Sequence, residues 1–329
     1  MSLLPICIAT WDYDRVRGLM DGRVRVEGCD LQYLNLAPEE CFHRAWAGEF
    51  DVAELGFFSY LASIARGEPP FLAIPVFTSR IFRHSAIYIR DDRGIAAPAD
   101  LKGKRIGVPQ YEMAAALWVR GFLHDDYGVL PQDIAWFQGG LESSGRRSHL
   151  ALSPPPGVSV QAIAEGATLG AMLADGQLDG VITARPPRCF DAGHPRIKRL
   201  FPDYRPVEQD YFRRTGLFPI MHVVGVRRPL ADRHPWLPTS LLKAFGEAKR
   251  LAEAELSEIN ALKIGLPWVT AELQATERLM GPDFWPYGVE ANLKTLETCA
   301  RYAHAQGITS RQIAVEDMFA PATLRTVKV

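Results

Sequence analysis

The sequence predicts an α/β protein of two similar lobes with a ligand cleft between them. Residues 101–138 have the pattern of a strand, a helix and a second strand, a β-α-β unit whose strands must run parallel. The order helix, glycine, aspartate, short strand occurs at 45–55 and again at 170–185, which indicates two similar lobes. The segments 85–92 and 218–226 are apolar and lack the Gly/Ser composition of a flexible linker, so we expect them to cross between the lobes.

The first lobe is predicted to contain both chain ends, 1–92 plus 222–329, and the second lobe to comprise 93–221. Apolar runs bounded by turn residues indicate strands, and apolar spacing of three and four residues indicates helices. In chain order we expect strands within 3–10 and 24–36, a helix at 39–48, a strand within 48–56, a helix at 60–66, a strand through 75–90, a strand within 100–109, a helix at 111–127, a strand at 133–138, and mostly helix from 235 onward.

Composition restricts the class of partner. The 37 Lys and Arg residues nearly balance the 38 Asp and Glu residues, so the chain lacks the basic excess typical of proteins that bind nucleic acid or an anionic membrane surface. No apolar run approaches the roughly 18 residues of a membrane span. We therefore expect a small-molecule partner, and the sequence leaves a homo-oligomer open.

The N-terminal apolar run is short and has no basic leader, which predicts no signal peptide. Five cysteines stand at scattered positions without a CxxC pair, a pattern that favours reduced thiols. Both features predict a cytoplasmic protein.

The stretch PVFTSRIFRHSAIYIR at 75–90 is apolar at both ends but polar in the middle. Because an unpaired buried guanidinium is strongly unfavourable, the cations need either anionic partners or an open cleft. In a regular strand Arg80 and His84 would share one face, and Ser79, Arg83 and Ser85 the other. The planar fork of arginine suits carboxylates, so this stretch is predicted to bind an anionic ligand.

The alternative is internal structure. An arginine of this stretch could pair with Asp51 or Glu54, and a lone histidine such as His84 is often a structural hydrogen-bond donor.

Trp11 and Tyr13 directly follow the first strand, and open α/β sheets bind ligands outside the carboxyl ends of their strands. Both side chains are therefore candidates to line the site. The alternative is a simple helix start, since Asp12 and Asp14 are good N-cap residues.

Four further polar residues are candidates because of where they stand in the predicted elements. Tyr111 and Glu112 lie between a strand and a helix, where backbone N–H groups favour an anion. Arg185 ends the strand GVITAR and is a candidate carboxylate clamp. His222 is a polar residue in an apolar strand at a predicted crossing; a core histidine is the alternative.

Four segments together resemble the 4,5-dihydroxyphthalate decarboxylase family: GEFDVAELGFFSYL, PVFTSRIFRHSAIYIR, DLKGKRIGVPQYEMAAALWVRGFLHDDYGV and DGVITARPP. The resemblance extends from about Ile8 to Gly225 and is weaker in the helical C-terminal third. One departure is Gln110, where relatives often carry an acidic residue before the tyrosine. The resemblance implies a type II periplasmic-binding-protein-like fold and a carboxy-lyase that decarboxylates a dihydroxylated aromatic dicarboxylate without oxidation.

For such a reaction the protein must hold the anion and supply a proton to the ring. Candidate acids are His84, His222 and Glu112. Candidate substrate-binding residues are Trp11, Tyr13, Ser79, Arg80, Arg83, Ser85, Tyr111 and Arg185. No P-loop, GxGxxG, GxSxG or HExxH motif is present, so we expect neither a cofactor nor a metal.

Two other functions fit the same fold. The chain could be a cytoplasmic solute-binding or ligand-sensing protein without catalysis, or an enzyme of another pathway on the same scaffold. Fold alone does not decide among them.

Overall fold

The computed structural model describes residues 2–67, 69–145 and 154–325, and in these ranges the chain forms two mixed β-sheets with flanking helices. The strands are β1 Leu4–Thr10, β2 Cys29–Asn35, β3 Val52–Gly56, β4 Phe71–Arg80, β5 Ile87–Arg90, β6 Arg105–Val108, β7 Ala135–Gln138, β8 Val160–Ala162, β9 Gly180–Ile182, β10 Ile197–Arg199 and β11 Ile220–Arg227. The helices are α1 Arg17–Met20, α2 Pro38–Trp46, α3 Phe57–Ala65, α4 Ala114–Tyr127, α5 Leu169–Ala174, α6 Arg188–Asp191, α7 Tyr204–Thr215, α8 Arg228–Arg233, α9 Leu237–Leu256, α10 Val269–Met280 and α11 Leu293–Ala305.

Internal contacts divide the chain into two units. Unit 1 comprises Met1–Arg80, Ile220–Glu297 and Ile313–Val329, and unit 2 comprises Ile81–Pro219 and Thr298–Gln312. The lobes predicted from the sequence, 1–92 plus 222–329 and 93–221, stay a prediction. Among the helices that the structure describes, none is long and apolar enough to cross a membrane.

The sheet of unit 1 has the order β2-β1-β3-β11-β4. Strand β1 runs parallel to β2 and β3, whereas β11 runs antiparallel to β3 and β4. The central strands are apolar and buried on both faces, as expected for strands covered by helices. Helix α9 packs its buried residues, among them Leu241 and Phe245, into the same core as Ile8 and Val224.

The sheet of unit 2 has the order β10-β5-β9-β6-β7-β8. Strands β6 and β7 are parallel and are connected by α4, so the predicted β-α-β unit at 101–138 is confirmed. Strands β5 and β10 form the antiparallel side of the sheet.

The predicted repeat of helix, glycine, aspartate and strand is present in each unit. After α2 the chain turns at Gly48, with φ of 85°, and after α5 it turns at Gly176, with φ of 76°; both values lie in the left-handed region that favours glycine. Asp51 then accepts the backbone N–H of Cys7 at 2.9 Å, and Asp179 accepts the backbone N–H of Arg105 at 2.9 Å. In each unit this aspartate therefore ties the start of a strand to its parallel neighbour.

The stretch 75–90 differs from the single regular strand that its apolar ends predict. Strand β4 ends at Arg80, a 3-10 turn occupies His84–Ala86, and β5 begins at Ile87 in the second sheet. The chain changes sheets here: the N–H of Ile81 bonds to the carbonyl of Pro219, just before β11, and β5 pairs in the second sheet. The two-face arrangement of its polar residues is therefore not formed.

Strand β4 also carries a large bulge. His222 of β11 pairs with Ser79, whereas Val224 pairs with Ile74, so residues 75–78 bulge opposite Val223. Proline at position 75 fits this location because it has no N–H for a ladder hydrogen bond. A bulge of this kind bends the strand and changes the direction of its side chains.

Candidate active site

Glu54 is a buried carboxylate in the middle of the sheet of unit 1. It lies on β3 between apolar neighbours, pairs with Val224 of β11, and is fully buried. A carboxylate in such a place needs several donors to replace its lost hydration.

The donors come from three directions. The backbone N–H of Trp11, just after β1, donates to Oε2 at 3.0 Å. The Tyr13 hydroxyl and the Thr78 hydroxyl donate to Oε1 at 2.7 Å and 3.0 Å. The imidazole Nδ1 of His222 lies 2.6 Å from the same oxygen. Glu54 is therefore the centre of a network that joins β1, β3, β4 and β11.

The bulge in β4 brings Thr78 to this network. Two backbone carbonyls of the bulge accept hydrogen bonds from outside the sheet. The Pro75 carbonyl accepts the N–H of Gly288 at 2.9 Å, and the Phe77 carbonyl accepts Nε1–H of Trp285 at 2.8 Å. These two carbonyls of the bulge therefore have donors, as buried backbone groups require. The side chain of Ser79 contacts the Tyr13 phenol next to Thr78.

His222 is oriented by its neighbours. Nδ1 faces Glu54, and the edge of the Phe42 ring packs against the imidazole with the ring centroids 4.9 Å apart. The His222 side chain is 18% exposed, in contrast to Glu54. Because Nδ1 is directed at the carboxylate, Nε2 is the nitrogen on the far side of the ring, where it can transfer a proton to a ligand.

Electrostatics keep Glu54 charged and Tyr13 neutral. Burial alone would raise the pKa of Glu54, but the charge of His222 and the hydrogen bonds from His222, Trp11 and Tyr13 outweigh burial and lower this pKa below its ordinary value. Burial and the adjacent Glu54 carboxylate raise the pKa of Tyr13. The site therefore holds a carboxylate, a phenol and an imidazole, a set suited to general acid–base chemistry.

The guanidinium of Arg15 lies beside this network. Arg15 donates from Nε to the Thr78 carbonyl at 2.9 Å, and its guanidinium stacks on the ring of Tyr13 at 4.2 Å from the centroid. Positive charge next to the network favours a negatively charged ligand.

Of the residues predicted from the sequence, Trp11, Tyr13, Ser79 and His222 meet at this site. Trp11 is 42% exposed, and it contributes its backbone N–H to the Glu54 network. The roles of all four in a reaction stay a prediction.

Arg80 is also in unit 1, but its contacts are internal. Its guanidinium donates to the side-chain oxygen of Asn292 and to the carbonyl of Pro286 at 3.4 Å, and it lies 5.3 Å from the ring centroid of Phe77. These contacts favour a structural role, although ligand binding by Arg80 stays untested.

His84 lies in an aromatic cluster of unit 2. Its ring stacks on Phe122 at 4.1 Å and meets the edges of Phe201 and Tyr211. Among the residues the structure describes, neither ring nitrogen has a hydrogen-bond partner, and burial lowers the pKa of His84 to about 4. A neutral, enclosed imidazole is poorly suited to donate a proton at neutral pH.

Arg83 and Ser85 flank His84 and share a carboxyl partner. The backbone N–H of Ser85 donates to Glu208 Oε1 at 3.3 Å, and burial lowers the pKa of Arg83 to about 10. Burial of Glu208 on α7 raises its pKa to about 7. This cluster joins α7 to the 3-10 turn within unit 2.

Replacing Glu208 with Gln is expected to flatten the pH dependence of stability. Because the folded pKa of about 7 exceeds the ordinary value of 4.5, the contribution of Glu208 to the free energy of unfolding is fully present below pH 4.5 and is lost as the pH rises from 4.5 through 7. The loss is on the order of 2 kcal/mol. Urea unfolding at pH 5 and pH 8 should show a smaller decrease for Glu208→Gln than for the wild type. Glu165→Gln, at an exposed turn of the same unit, should follow the wild type, and a Glu208→Gln variant that also follows it would contradict this assignment.

Tyr111 and Glu112 lie in the interior of unit 2. The Tyr111 N–H donates to the Gln138 side chain at 2.8 Å, and the buried guanidinium of Arg120 stacks on the Tyr111 ring at 3.7 Å. Glu112 is also buried and interacts electrostatically with Arg120. Arg185 follows β9 and is exposed. Their predicted roles in binding or proton transfer stay untested.

Sequence reasoning did not select Glu54, Thr78 or Arg15 as site residues. It considered Glu54 as an internal partner for an arginine and as the start of a strand end, although a lone carboxylate in the strand VAELG is a visible signal. Thr78 and Arg15 gave no signal, because their contact with each other depends on the bulge. In the described ranges no three His, Cys, Asp or Glu side chains are grouped so as to hold a metal ion.

Two curated proteins are similar to this chain. The 4,5-dihydroxyphthalate decarboxylase of Comamonas testosteroni is 46% identical over 330 residues, covering 100% of both chains. The 4,5-dihydroxyphthalate decarboxylase of Pseudomonas putida is 45% identical over 214 residues, covering 65% of this chain and 83% of the relative. No family model matches the chain.

Solved structures resemble it at low sequence identity. The periplasmic aliphatic sulphonate binding protein SsuA from Escherichia coli superposes with a TM-score of 0.55 at 12% identity, covering 98% of this chain and 99% of that one. The desulfurization enzyme DSZB gives a TM-score of 0.53 at 16% identity, covering 98% and 97%. At such identities the likeness shows the fold alone, and it confirms the predicted two-lobed binding-protein fold.

Proposed function

Because this chain belongs to the 4,5-dihydroxyphthalate decarboxylase family, and is therefore an enzyme, we propose that it converts 4,5-dihydroxyphthalate to protocatechuate and CO2 at the Glu54–His222 pair. The observation that carries the assignment of the site is the 2.6 Å contact between Glu54 and Nδ1 of a partly exposed imidazole.

The chemistry needs one proton and no change of oxidation state. Protonated His222 donates the Nε2 proton to the ring carbon that bears the leaving carboxylate, while the hydroxyl para to that carbon pushes electron density toward it. The C–C bond to the carboxylate then breaks, its electron pair restores the aromatic ring, and CO2 leaves. Solvent returns a proton to His222.

Glu54 acts through His222. Its negative charge stabilises the imidazolium and its Oε1 holds Nδ1, so that Nε2 keeps one direction. Tyr13 and Thr78 hold the carboxylate in place through the other hydrogen bonds to Oε1. Orienting the acid in this way contributes to the rate before any substrate binds.

Incubation of the purified protein with 4,5-dihydroxyphthalate is expected to release CO2 and protocatechuate in equal amounts. Chromatography of the product and capture of CO2 measure both. Turnover should persist after dialysis against EDTA, because the proposal includes no cofactor. Tight binding of the compound without product would instead mean a binding protein, and restoration of lost activity by one divalent ion would contradict the metal-free reaction.

We also propose that the protein works in the cytoplasm. Its five cysteines are unpaired in the structure, which supports a reducing environment.

A further inference from the structure

Arg15 is held between two aromatic rings beside the Glu54–His222 pair. Its guanidinium carbon lies 4.2 Å from the ring centroid of Tyr13 and 4.1 Å from that of Trp285. The side chain is 14% exposed. Stacking on both faces fixes the plane of the guanidinium, so its remaining donors have a defined direction.

Part of the hydrogen-bonding capacity of Arg15 is unused. Nε and Nη2 donate to the Thr78 carbonyl, and Nη1 donates to Asp14 Oδ1 at 2.9 Å. A guanidinium has five N–H groups, so one remains on each terminal nitrogen. The Asp14 side chain is 45% exposed, and an exposed carboxylate compensates a charge only weakly. Arg15 therefore keeps both a charge and a pair of donors for an anion.

Arg15 shares two residues with the network that surrounds Glu54. The Thr78 carbonyl accepts from Arg15 while the Thr78 hydroxyl donates to Glu54. The Tyr13 ring supports the guanidinium while its hydroxyl donates to Glu54 and lies 3.4 Å from Nδ1 of His222. The Tyr13 side chain thus contacts both the Arg15 guanidinium and His222, the proposed proton donor.

The second ring is held independently of any ligand. Trp285 donates from Nε1 to the Phe77 carbonyl at 2.8 Å. Two residues earlier, Asp283 accepts from Lys249 of α9 at 2.5 Å. Because these contacts fix the segment that carries Trp285, binding an anion at Arg15 requires little reorganisation.

We propose that Arg15 binds the carboxylate that the substrate retains, an inference that rests on the proposed decarboxylation at Glu54–His222. A cation paired with the departing carboxylate would stabilise the anionic ground state, whereas CO2 leaves uncharged. Arg15 therefore suits the retained group, which stays anionic throughout. Its role is to bind and orient the ring, and the proton comes from His222.

Replacing Arg15 with Gln tests this assignment. Calorimetric titration with phthalate, which has the carboxylates but no hydroxyl groups, is expected to show a dissociation constant about tenfold to a hundredfold higher than in the wild type. Titration with catechol, which has no carboxylate, should be unchanged. In turnover of 4,5-dihydroxyphthalate, KM should rise more than kcat falls. Unchanged phthalate binding and an unchanged KM would overturn the inference.

Arg17→Gln is the matched control, because Arg17 lies two residues further on and its exposed side chain pairs with Asp12. This variant should bind phthalate as the wild type does, and equal weakening in both variants would overturn the assignment. If Arg15→Gln does not fold, Arg15→Lys replaces it. Lysine keeps the positive charge but lacks the planar guanidinium with its paired donors, so Arg15→Lys should bind phthalate about tenfold more weakly. Native affinity of this variant would contradict bidentate binding by Arg15.

These experiments distinguish a failure of the Arg15 assignment from a failure of the proposed decarboxylation. A wild-type protein that binds phthalate through Arg15 but does not convert 4,5-dihydroxyphthalate would refute the decarboxylation and support Arg15 as the anion-binding residue. A wild-type protein that turns over normally, with an Arg15→Gln variant of native phthalate affinity, would refute the role of Arg15 alone.

Discussion

Replacing His222 with Asn is expected to lower kcat by about a hundredfold to ten-thousandfold, the usual contribution of a positioned general acid. The asparagine amide can occupy the place of Nδ1 and donate to Glu54, but the variant has no atom at the position of Nε2. The hydrogen bond that orients the side chain is therefore kept while the proton donor is lost. KM and the melting temperature should change little.

Hydrogen exchange on the product provides a second measurement. If His222 protonates the ring carbon, its deuterated imidazolium in D2O should also transfer a deuteron to that carbon of added protocatechuate, the carbon ortho to the carboxylate and para to a hydroxyl. The neutral imidazole then removes the original proton from the same carbon, so the wild-type enzyme should replace hydrogen with deuterium there. NMR of the product detects the exchange, and His222→Asn should lose it together with turnover. His124→Asn, at a half-exposed position on α4, is the control and should keep both. A His222→Asn variant with near-native exchange would identify another residue as the acid.

Replacing Glu54 with Gln is expected to lower kcat by about a hundredfold and to destabilise the protein. The amide removes the charge that stabilises protonated His222. Its NH2 group would also face side chains that donate hydrogen bonds, and an unsatisfied buried polar group costs about 1–3 kcal/mol. Steady-state kinetics and urea unfolding at pH 7 measure the two effects.

The same variant should change the response to acid. The pKa of Glu54 is lowered in the folded protein, so its contribution to the free energy of unfolding is fully present above the ordinary carboxyl pKa and is lost as the pH falls toward the lower folded value. Between pH 6 and pH 3 the wild type should therefore lose more stability than Glu54→Gln. Glu49→Gln, which removes an exposed carboxylate paired with Arg44, is the control for both measurements. A Glu54→Gln variant with native kcat would show that Glu54 has only a structural role.

The β-α-β unit and the repeat of helix, glycine, aspartate and strand follow from local patterns. Apolar periodicity indicates strands or helices within a few residues, and a glycine after a helix marks a left-handed turn, as Gly48 and Gly176 do. The family resemblance, carried by four quoted segments, is confirmed by the 46% identity of a curated relative.

Within the site, the sequence selected residues that stand at strand ends or as polar exceptions in apolar strands. Trp11 and Tyr13 follow β1, and His222 interrupts an apolar strand. These signals depend only on neighbouring residues along the chain, so sequence reasoning could find them. It could not choose between His84 and His222, since no local pattern shows which histidine contacts a buried carboxylate.

The sequence by itself determined the fold class, the repeat and most of the polar positions near the strand ends of unit 1. Only the tertiary structure decided which of these positions meet. The bulge in β4 brings Thr78 to Glu54 and gives Arg15 a carbonyl to bind, while the chain leaves the first sheet after Arg80, so that His84 belongs to unit 2. Register and bulges arise from pairing between strands far apart in the chain, and no local pattern encodes them.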